Sequence, residues 1–570
     1  MNYNLVYSKK NRFLNNCKNL IIGRWLFRDT LENKNLNIEY INGYWTDKKK
    51  LSRRFKYFNK IYSKVIRELS TNLNRYNQKK LSSIQWELIL YFFVHQYILI
   101  AYDRWNLIKS IKKKYKLKPI QLICYNSKNF LCEKTENIRN LVLSHEWNDW
   151  ILSEIIKEQK IKYYNYKYVK KKIIKKDKEK DIKKFFRFKN INNDIFLKNL
   201  ELPRYHKVKL SLLLNQSNIF YDNVTLSNLE ENKTRKKRGF RFSKTKDKFV
   251  SFILRNLEMV LPKSYIENFS AIERKVEKLN WPKNPKLILT SYSHYLDDPF
   301  KIYTANKISK KTKLAILQHG NQGHHDFCGS YLEKRFCDNY ITWGNHSSDK
   351  KTIPLFVTTN IGKKVTKREA SGILIKLTEF HLIPWKITHA PRDMESVIKY
   401  KENISFFLQS LNKSIRKIST IKSFDFANLN FVTKHIKHNF KDIEINELKK
   451  LTGRGFEEAH NKKLIIETFN STGFIELLSM NSPVILLTSK PLFHVKKKYK
   501  KYYDELIKNE IIFFDPEKAG KFINLNLTKI NEWWFEKKRQ KSIKYFCDHM
   551  CKYDDNINNL STILKKIAYK

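Results

Sequence analysis

Between residues 40 and 115 the apolar positions fall at helical spacing. Phe55, Phe58, Ile61, Tyr62, Val65, Ile66 and Leu69 recur every three or four residues in KLSRRFKYFNKIYSKVIRELSTNLN, the stripe of an amphipathic helix. The connection QKKLSS leads to IQWELILYFFVHQYILIAYDRW, Ile84 to Trp105, the longest apolar stretch of the chain. Glu87, His95, Gln96 and Asp103 interrupt it, so it falls short of the roughly 18 clean apolar residues that argue for a bilayer span. The pattern predicts a buried helix, packed face to face with the first.

Further on, the pattern changes to short apolar runs separated by amphipathic segments. Leu287–Thr290 and LAIL, ending at Leu317, read as buried strands. Between them Asp298 is expected to cap a helix that has Pro299 in its first position, and basic residues near Lys310 suit the end of that helix. This is a βαβ unit, with a parallel crossover as the default. A second such region starts near 372: GILIKL as strand, ISFFLQSLNKSI as helix, NLNFVTK as strand, then strand, turn, helix and strand in KLIIETFNSTGFIELLSMNSPVILLTS. LIKNEIIFF adds another helix–strand step, and the tail from 524 reads mostly as helix. The predicted class is α/β with two Rossmann-like domains, an N-terminal helical region (40–115) and a basic insertion (155–250). The expected divisions are 1–365, 366–525 and 526–570, with a hinge near 360–372. The last division is expected to pack back across the cleft through a helix around Trp533–Phe546.

Composition sharpens this picture. At 570 residues the chain exceeds what one hydrophobic core usually supports. Lys and Arg number 113 against 55 Asp and Glu, a net charge of +58. Coding bias explains abundant Lys, Asn and Ile, but not why the acids fail to balance the Lys. The excess points to phosphorylated substrates or an anionic membrane surface. Nucleic acid is not favoured, because no recognition motif of defined spacing occurs. Seven scattered Cys without a CxxC pair suit a reducing compartment, and the first residues lack a signal-peptide pattern. A cytoplasmic protein, peripheral at the inner face of the membrane, is expected.

In open parallel sheets ligands bind beyond the carboxyl ends of strands, and two loops leave strands there. The first is Gln318-His319-Gly320-Asn321-Gln322-Gly323. Its glycines permit close backbone approach, and His319 is a general base or, protonated, a donor to phosphate. A tight turn with His319 packed on the sheet is the alternative. His324, His325, Cys328 and Cys337 follow, but their spacing is not that of a zinc site, and no metal is expected. In the second loop, Asn470, Ser471 and Thr472 stand where a strand gives way to a helix, a ready anion site. Gly473 keeps the approach open and Glu476 lies one turn in, within reach of a ribose hydroxyl. Ordinary N-capping is the competing reading.

The segments INGYWTDKKKL, WELILYFFVHQYILIAYDRW, KLAILQHGNQG, YLEKRFCDNYITWG, FNSTGFIELLSMNSPVILL and EWWFEKKRQKSIKYFC occur in that order. The series resembles a family of bacterial transferases of surface-polysaccharide biosynthesis, whose two-domain architecture is similar to GT-B glycosyltransferases. The resemblance covers most of the chain outside 155–250. It implies a metal-independent glycosyltransferase, without a cofactor, that moves a sugar from a nucleotide-activated donor to a glycan or lipid-linked acceptor. It implies His319 as the catalytic residue, with Gln318, Gly320, Asn321, Gly323, Glu333, Asp338 and Trp343 on the substrate side. Asn470, Ser471, Thr472, Gly473 and Glu476 fall on the donor side. Two alternatives stand beside it: glycerol phosphate transfer from a CDP-activated donor, and non-enzymatic binding of RNA or membrane through the Lys-rich region.

Overall fold

The computed structural model describes residues 2–26, 37–41, 48–169, 193–216, 221, 226, 239–308, 311–320, 330–345, 349–363, 370–378, 394–424, 431–448, 460–493 and 495–570. The helical hairpin expected near the N-terminus is Lys48–Asn77 followed by Ser83–Lys114. Ser82 and Gln85 form a reciprocal capping box at the start of the second helix, satisfying two amides that the first turn leaves orphaned. Among the described residues this is the one helix long and apolar enough to cross a membrane, and most of its apolar stretch is buried inside the protein. The polar interruptions each have a local reason. Glu87 pairs with Arg335 at 2.8 Å, Asp103 pairs with Arg104, and His95 lies 3.3 Å from the Gln96 amide. Burial pulls the His95 imidazole down to about 4, so it sits neutral in the core.

A parallel sheet not foreseen from the sequence precedes this hairpin: β1 (Tyr3–Val6), β2 (Lys18–Ile22) and β3 (Ile38–Ile41), in that order. Tyr3 also bridges to Leu117, just ahead of β4 (Ile120–Cys124), which pairs in parallel with β5 (Tyr163–Tyr168). These strands are four to six residues long, too short for periodicity to declare them amid so much Lys and Asn.

The next sheet contains β6 (Ile195–Lys198), β7 (Leu287–Thr290), β8 (Lys313–Leu317), β9 (Asn339–Thr342) and β10 (Thr352–Pro354), all parallel and in sequential order. β6 corrects the reading of 155–250 as an insertion, since that stretch supplies an edge strand of the sheet. The helix between β7 and β8 spans Asp298–Ile308, but its cap is Asp297, whose carboxylate accepts from Phe300 N at 3.0 Å. Asp298 is buried instead. It accepts from Thr135 N at 2.8 Å and Ser264 Oγ at 2.7 Å, and pairs with Lys301 at 2.7 Å.

The last sheet contains β11 (Ile373–Lys376), β12 (Ser419–Phe424), β13 (Glu444–Leu448), β14 (Leu464–Glu467), β15 (Val484–Leu487) and β16 (Ile512–Phe513). Its strands are parallel in the order β13-β12-β11-β14-β15-β16, so the chain reverses direction across the sheet between β11 and β14, the switch point of a doubly wound fold. Of the run NLNFVTK, the first three residues lie outside the described residues and the other four are helical rather than strand. Phe431–Asn439 is a helix, because Val432, Thr433 and Ile436 are buried at helical rather than alternating spacing. The adjacent strand is β12.

The tail ties the two larger sheets together. Helix Lys537–Met550 buries Ile543, Phe546 and Met550 with Phe474, Leu478 and Tyr503 beside the six-stranded sheet. Helix Ile557–Tyr569 buries Leu560 and Leu564 against Leu287, Leu289 and Leu317 of the five-stranded sheet. Both helices return to the first half of the chain: the final one against the five-stranded sheet, and Lys537–Met550 against Trp343 and Val357, which follow strands of that sheet.

Candidate active site

The loop after β8 is shaped by Gln318. Its fully buried amide donates to Gly320 O at 2.9 Å and accepts from Trp343 N, after β9, at 3.0 Å. Gly320 adopts φ +65°, a conformation that side chains with a Cβ pay to enter. His319 is left partly exposed, with Nδ1 2.9 Å from Glu201 Oε2. Glu201 follows β6, and its backbone N–H donates to Ser291 Oγ, after β7, at 3.1 Å. Three successive strands of one sheet edge thus contribute to a His–carboxylate pair. Burial pulls the His319 pKa down, but Glu201, with Glu333 and Glu476 farther off, outweighs it and the net shift is upward. The rings of Tyr292 and Tyr295 stand 5.8 and 6.2 Å from the imidazole.

The six-stranded sheet brings its own edge to the same place. Lys376 and Glu467 end β11 and β14 in register at the switch point, and their side chains pair at 2.6 Å. Ser471 caps helix Thr472–Ser479, accepting from Phe474 N at 3.2 Å and donating to Glu467 Oε2 at 3.0 Å. A Cβ on Gly473 would stand 2.7 Å from Glu467 Oε1 and 2.9 Å from Lys376 Nζ, so glycine is what lets the ion pair lie under the helix start. Glu476 Oε1 accepts from Thr359 Oγ1 at 2.6 Å. Burial raises its pKa, and Glu201 adds to the rise against the opposing effects of Thr359, Lys376 and Lys363.

The two edges meet. A Cβ built on Gly320 would lie 2.6 Å from Thr472 Oγ1, so the His319 loop touches the first residue of the opposing helix. Across that contact stand a His–Glu pair on one side, and a helix N-terminus with an ion pair beneath it on the other. A His–carboxylate pair is chemically able to take a proton, and a helix N-terminus to hold an anion.

A family model described as LIC12162 family transferase matches residues 3–564. The chain belongs to the LIC12162 family of transferases. Solved structures similar to it include TarM, at 12% identity and TM-score 0.30 over 50% of this chain and 54% of that one. The wall teichoic acid polymerase TagF matches at 9% identity and TM-score 0.29, over 50% of this chain and 72% of that one. A UDP-N-acetylglucosamine 2-epimerase matches at 10% identity and TM-score 0.31, over 83% and 93%. The chain thus spans about half the length of TarM. No curated protein matches it in sequence.

In this LIC12162 family transferase the other expected residues occupy different places. Glu333 is buried against His294, 3.4 Å from its Nε2, and accepts from the Tyr295 hydroxyl. Burial raises its pKa, but the His294, Tyr295 and Tyr340 contacts outweigh that and lower it overall. It therefore supports the wall behind His319 and does not line the cleft. Asp338 lies at the opposite edge of the sheet, where it accepts from Leu314 N at 2.7 Å. Trp343 is fully buried in the core beside the six-stranded sheet, and its carbonyl accepts from Lys552 N at 2.6 Å. Gln318 shapes the loop from within, and Asn470 is buried with Nδ2 3.4 Å from the Tyr503 hydroxyl. Each of these five has the geometry of a support and not of a ligand contact. Asn321 and Gly323, and His324, His325 and Cys328 of the metal reading, lie outside the described residues. Cys337 is buried, its thiol pushed up to about 12, and among the described residues no cluster of His, Cys, Asp and Glu is arranged to hold a metal ion. Glu201, Lys376 and Glu467 were missed in the sequence. The signal for the last two is present: ILIK and LIIE are apolar strands with one charge at the carboxyl end.

Proposed function

We propose that this transferase moves a sugar from a nucleotide-activated donor to a surface-polysaccharide or lipid-linked acceptor at the inner face of the membrane. In this reading 1–365 and 366–525 are the two lobes of a GT-B-like enzyme, and 526–570 straps them together. The observation that carries it is the approach of Gly320 to Thr472 Oγ1, 2.6 Å from a built Cβ, which sets the His319 loop against the helix start.

The donor phosphates sit at the N-terminus of Thr472–Ser479, where first-turn backbone amides and the helix dipole meet negative charge. Ser471, Thr472 and Gly473 shape that cradle, and Lys376 adds a cation beside it. The leaving group is stabilised by these groups with no divalent ion in the scheme. Glu476 contacts the nucleotide ribose. On the opposite wall, His319 takes the proton from the acceptor hydroxyl as the sugar–oxygen bond forms. Glu201 on Nδ1 orients the ring, leaves Nε2 for the proton and stabilises the imidazolium.

Thermal-shift titration with UDP-, GDP-, CMP- and CDP-linked compounds, CDP-glycerol included, tests the donor assignment. Stabilisation by at least one nucleotide sugar is expected, lost in Ser471→Ala/Thr472→Ala and retained in His319→Gln, which loses turnover instead. Stabilisation by CDP-glycerol alone would replace sugar with glycerol phosphate as the transferred group. No shift with any compound would sink the donor site.

A further inference from the structure

Helix Arg204–Leu213, RYHKVKLSLL, begins three residues after Glu201. Its inner face is accounted for. Leu210 is fully buried in the cluster that includes Leu560 and Leu564 of the final helix, and the His206 ring lies 3.4 Å from the position of a Cβ on Gly362. The outer face is unusual. At about 100° per residue, Arg204, Val208, Leu212, Tyr205 and Lys209 follow one another around a single arc. Tyr205 is 69% exposed, Leu212 68% and Val208 42%. Single exposed apolar residues are ordinary on protein surfaces. Three on one stripe, bounded by a cation on each side and with no acidic residue in the helix, are not.

We infer that this face docks on an anionic lipid surface. Apolar side chains between cations match the layering of a bilayer interface, with Tyr205, Val208 and Leu212 at the acyl boundary and Arg204 and Lys209 at the phosphate level. Lys207, on the same helix, and the chain's net charge of +58 supply the long-range attraction that a short helix needs, since its apolar contact alone gives weak and reversible binding. The charge complementarity favours lipid over RNA, whose recognition uses stacking platforms rather than an aliphatic stripe. Docking here would hold the Glu201–His319 edge of the cleft close to the membrane, where a lipid-linked acceptor is presented. That consequence rests on the proposed transfer reaction; the docking itself does not.

Sedimentation of the full chain with phosphatidylcholine vesicles, alone or containing about 30% phosphatidylglycerol, tests the inference without donor or acceptor. Binding is expected to the anionic vesicles only and to weaken with salt. Tyr205→Ser/Val208→Ser/Leu212→Ser and Arg204→Glu/Lys209→Glu should each weaken it by about tenfold. Circular dichroism should stay unchanged, because the altered side chains are solvent-exposed. Equal binding of the triple-serine variant, or equal binding of neutral vesicles, would overturn the proposal. So would a triple-serine variant that lost self-association or RNA binding while keeping its hold on vesicles. Nucleotide thermal shifts, read separately, report on the donor site whatever the vesicles show.

Discussion

Glu201 sets how His319 titrates. The His319 pKa lies above its ordinary 6.5 despite the opposing effect of burial, so folding favours the imidazolium. That contribution to stability is complete below about 6.5 and fades as pH rises through the raised folded value. With neutral imidazole as the base, the acidic limb of the rate profile should therefore lie above 6.5. Glu201→Gln removes the raising carboxylate, and both the limb and the ring titration followed by NMR should move down. A limb that stayed in place would remove Glu201 from the proton path. Gly320 has a second residue-scale consequence. Gly320→Ala forces a Cβ into φ +65° and against Thr472 Oγ1, which should cost about 1–2 kcal/mol from the backbone alone. Urea unfolding should show that loss, and adding Thr472→Ala should return only the part due to the contact. His319 was legible in the sequence because Gln-His-Gly breaks a strand pattern abruptly. Glu201 was not, because nothing local in KNLELPRYH tells which strand end it will face.

At the scale of elements, charge hidden inside packed surfaces decided where sequence reading failed. Asp298 looked like a helix cap next to Pro299, yet Asp297 takes that role and Asp298 joins a buried network with Lys301, Thr135, Ser264 and Tyr265. This network fastens the βαβ helix to Thr135, 163 residues earlier in the chain, and to Ser264 and Tyr265, nearer in sequence. Lys301→Met leaves the Asp298 carboxylate buried without its ion partner and should cost about 3–5 kcal/mol. Adding Asp298→Asn should recover part of the loss, because the remaining donors suit a neutral amide. Equal unfolding midpoints for Lys301→Met and the unaltered protein would contradict the pairing. Strands such as β7, β8, β14 and β15 were readable because each is a run of consecutive apolar residues buried on both faces. β6 was masked by flanking Lys and Asn, and Phe431–Asn439 was misread because a short apolar cluster carries too few positions to separate a period of two from 3.6.

At the scale of the whole molecule, the chain's end governs how the two larger sheets are held. Gly344 is where the five-stranded sheet touches helix Lys537–Met550. A Cβ there would stand 2.4 Å from His549 O and 2.9 Å from Met550 N, which are backbone atoms that cannot swing aside. Next to it, Lys552 N donates to Trp343 O at 2.6 Å, and Val357 N donates to Lys552 O at 2.8 Å. The tail is thus bonded to the first half of the chain through its backbone, while its side chains fill cores beside both sheets. Gly344→Val must push that helix away and break the Lys552 bonds while leaving the His319–Glu201 pair alone; the Thr472 helix feels it only through Phe474 and Leu478, which pack on the displaced helix. Calorimetry should then split one cooperative transition into two, as each sheet with its helices unfolds separately. Nucleotide binding, if it depends only on the helix start beside the six-stranded sheet, should survive with weakened turnover. Loss of binding and turnover together would mean that the strap, and not the helix start alone, completes the donor pocket.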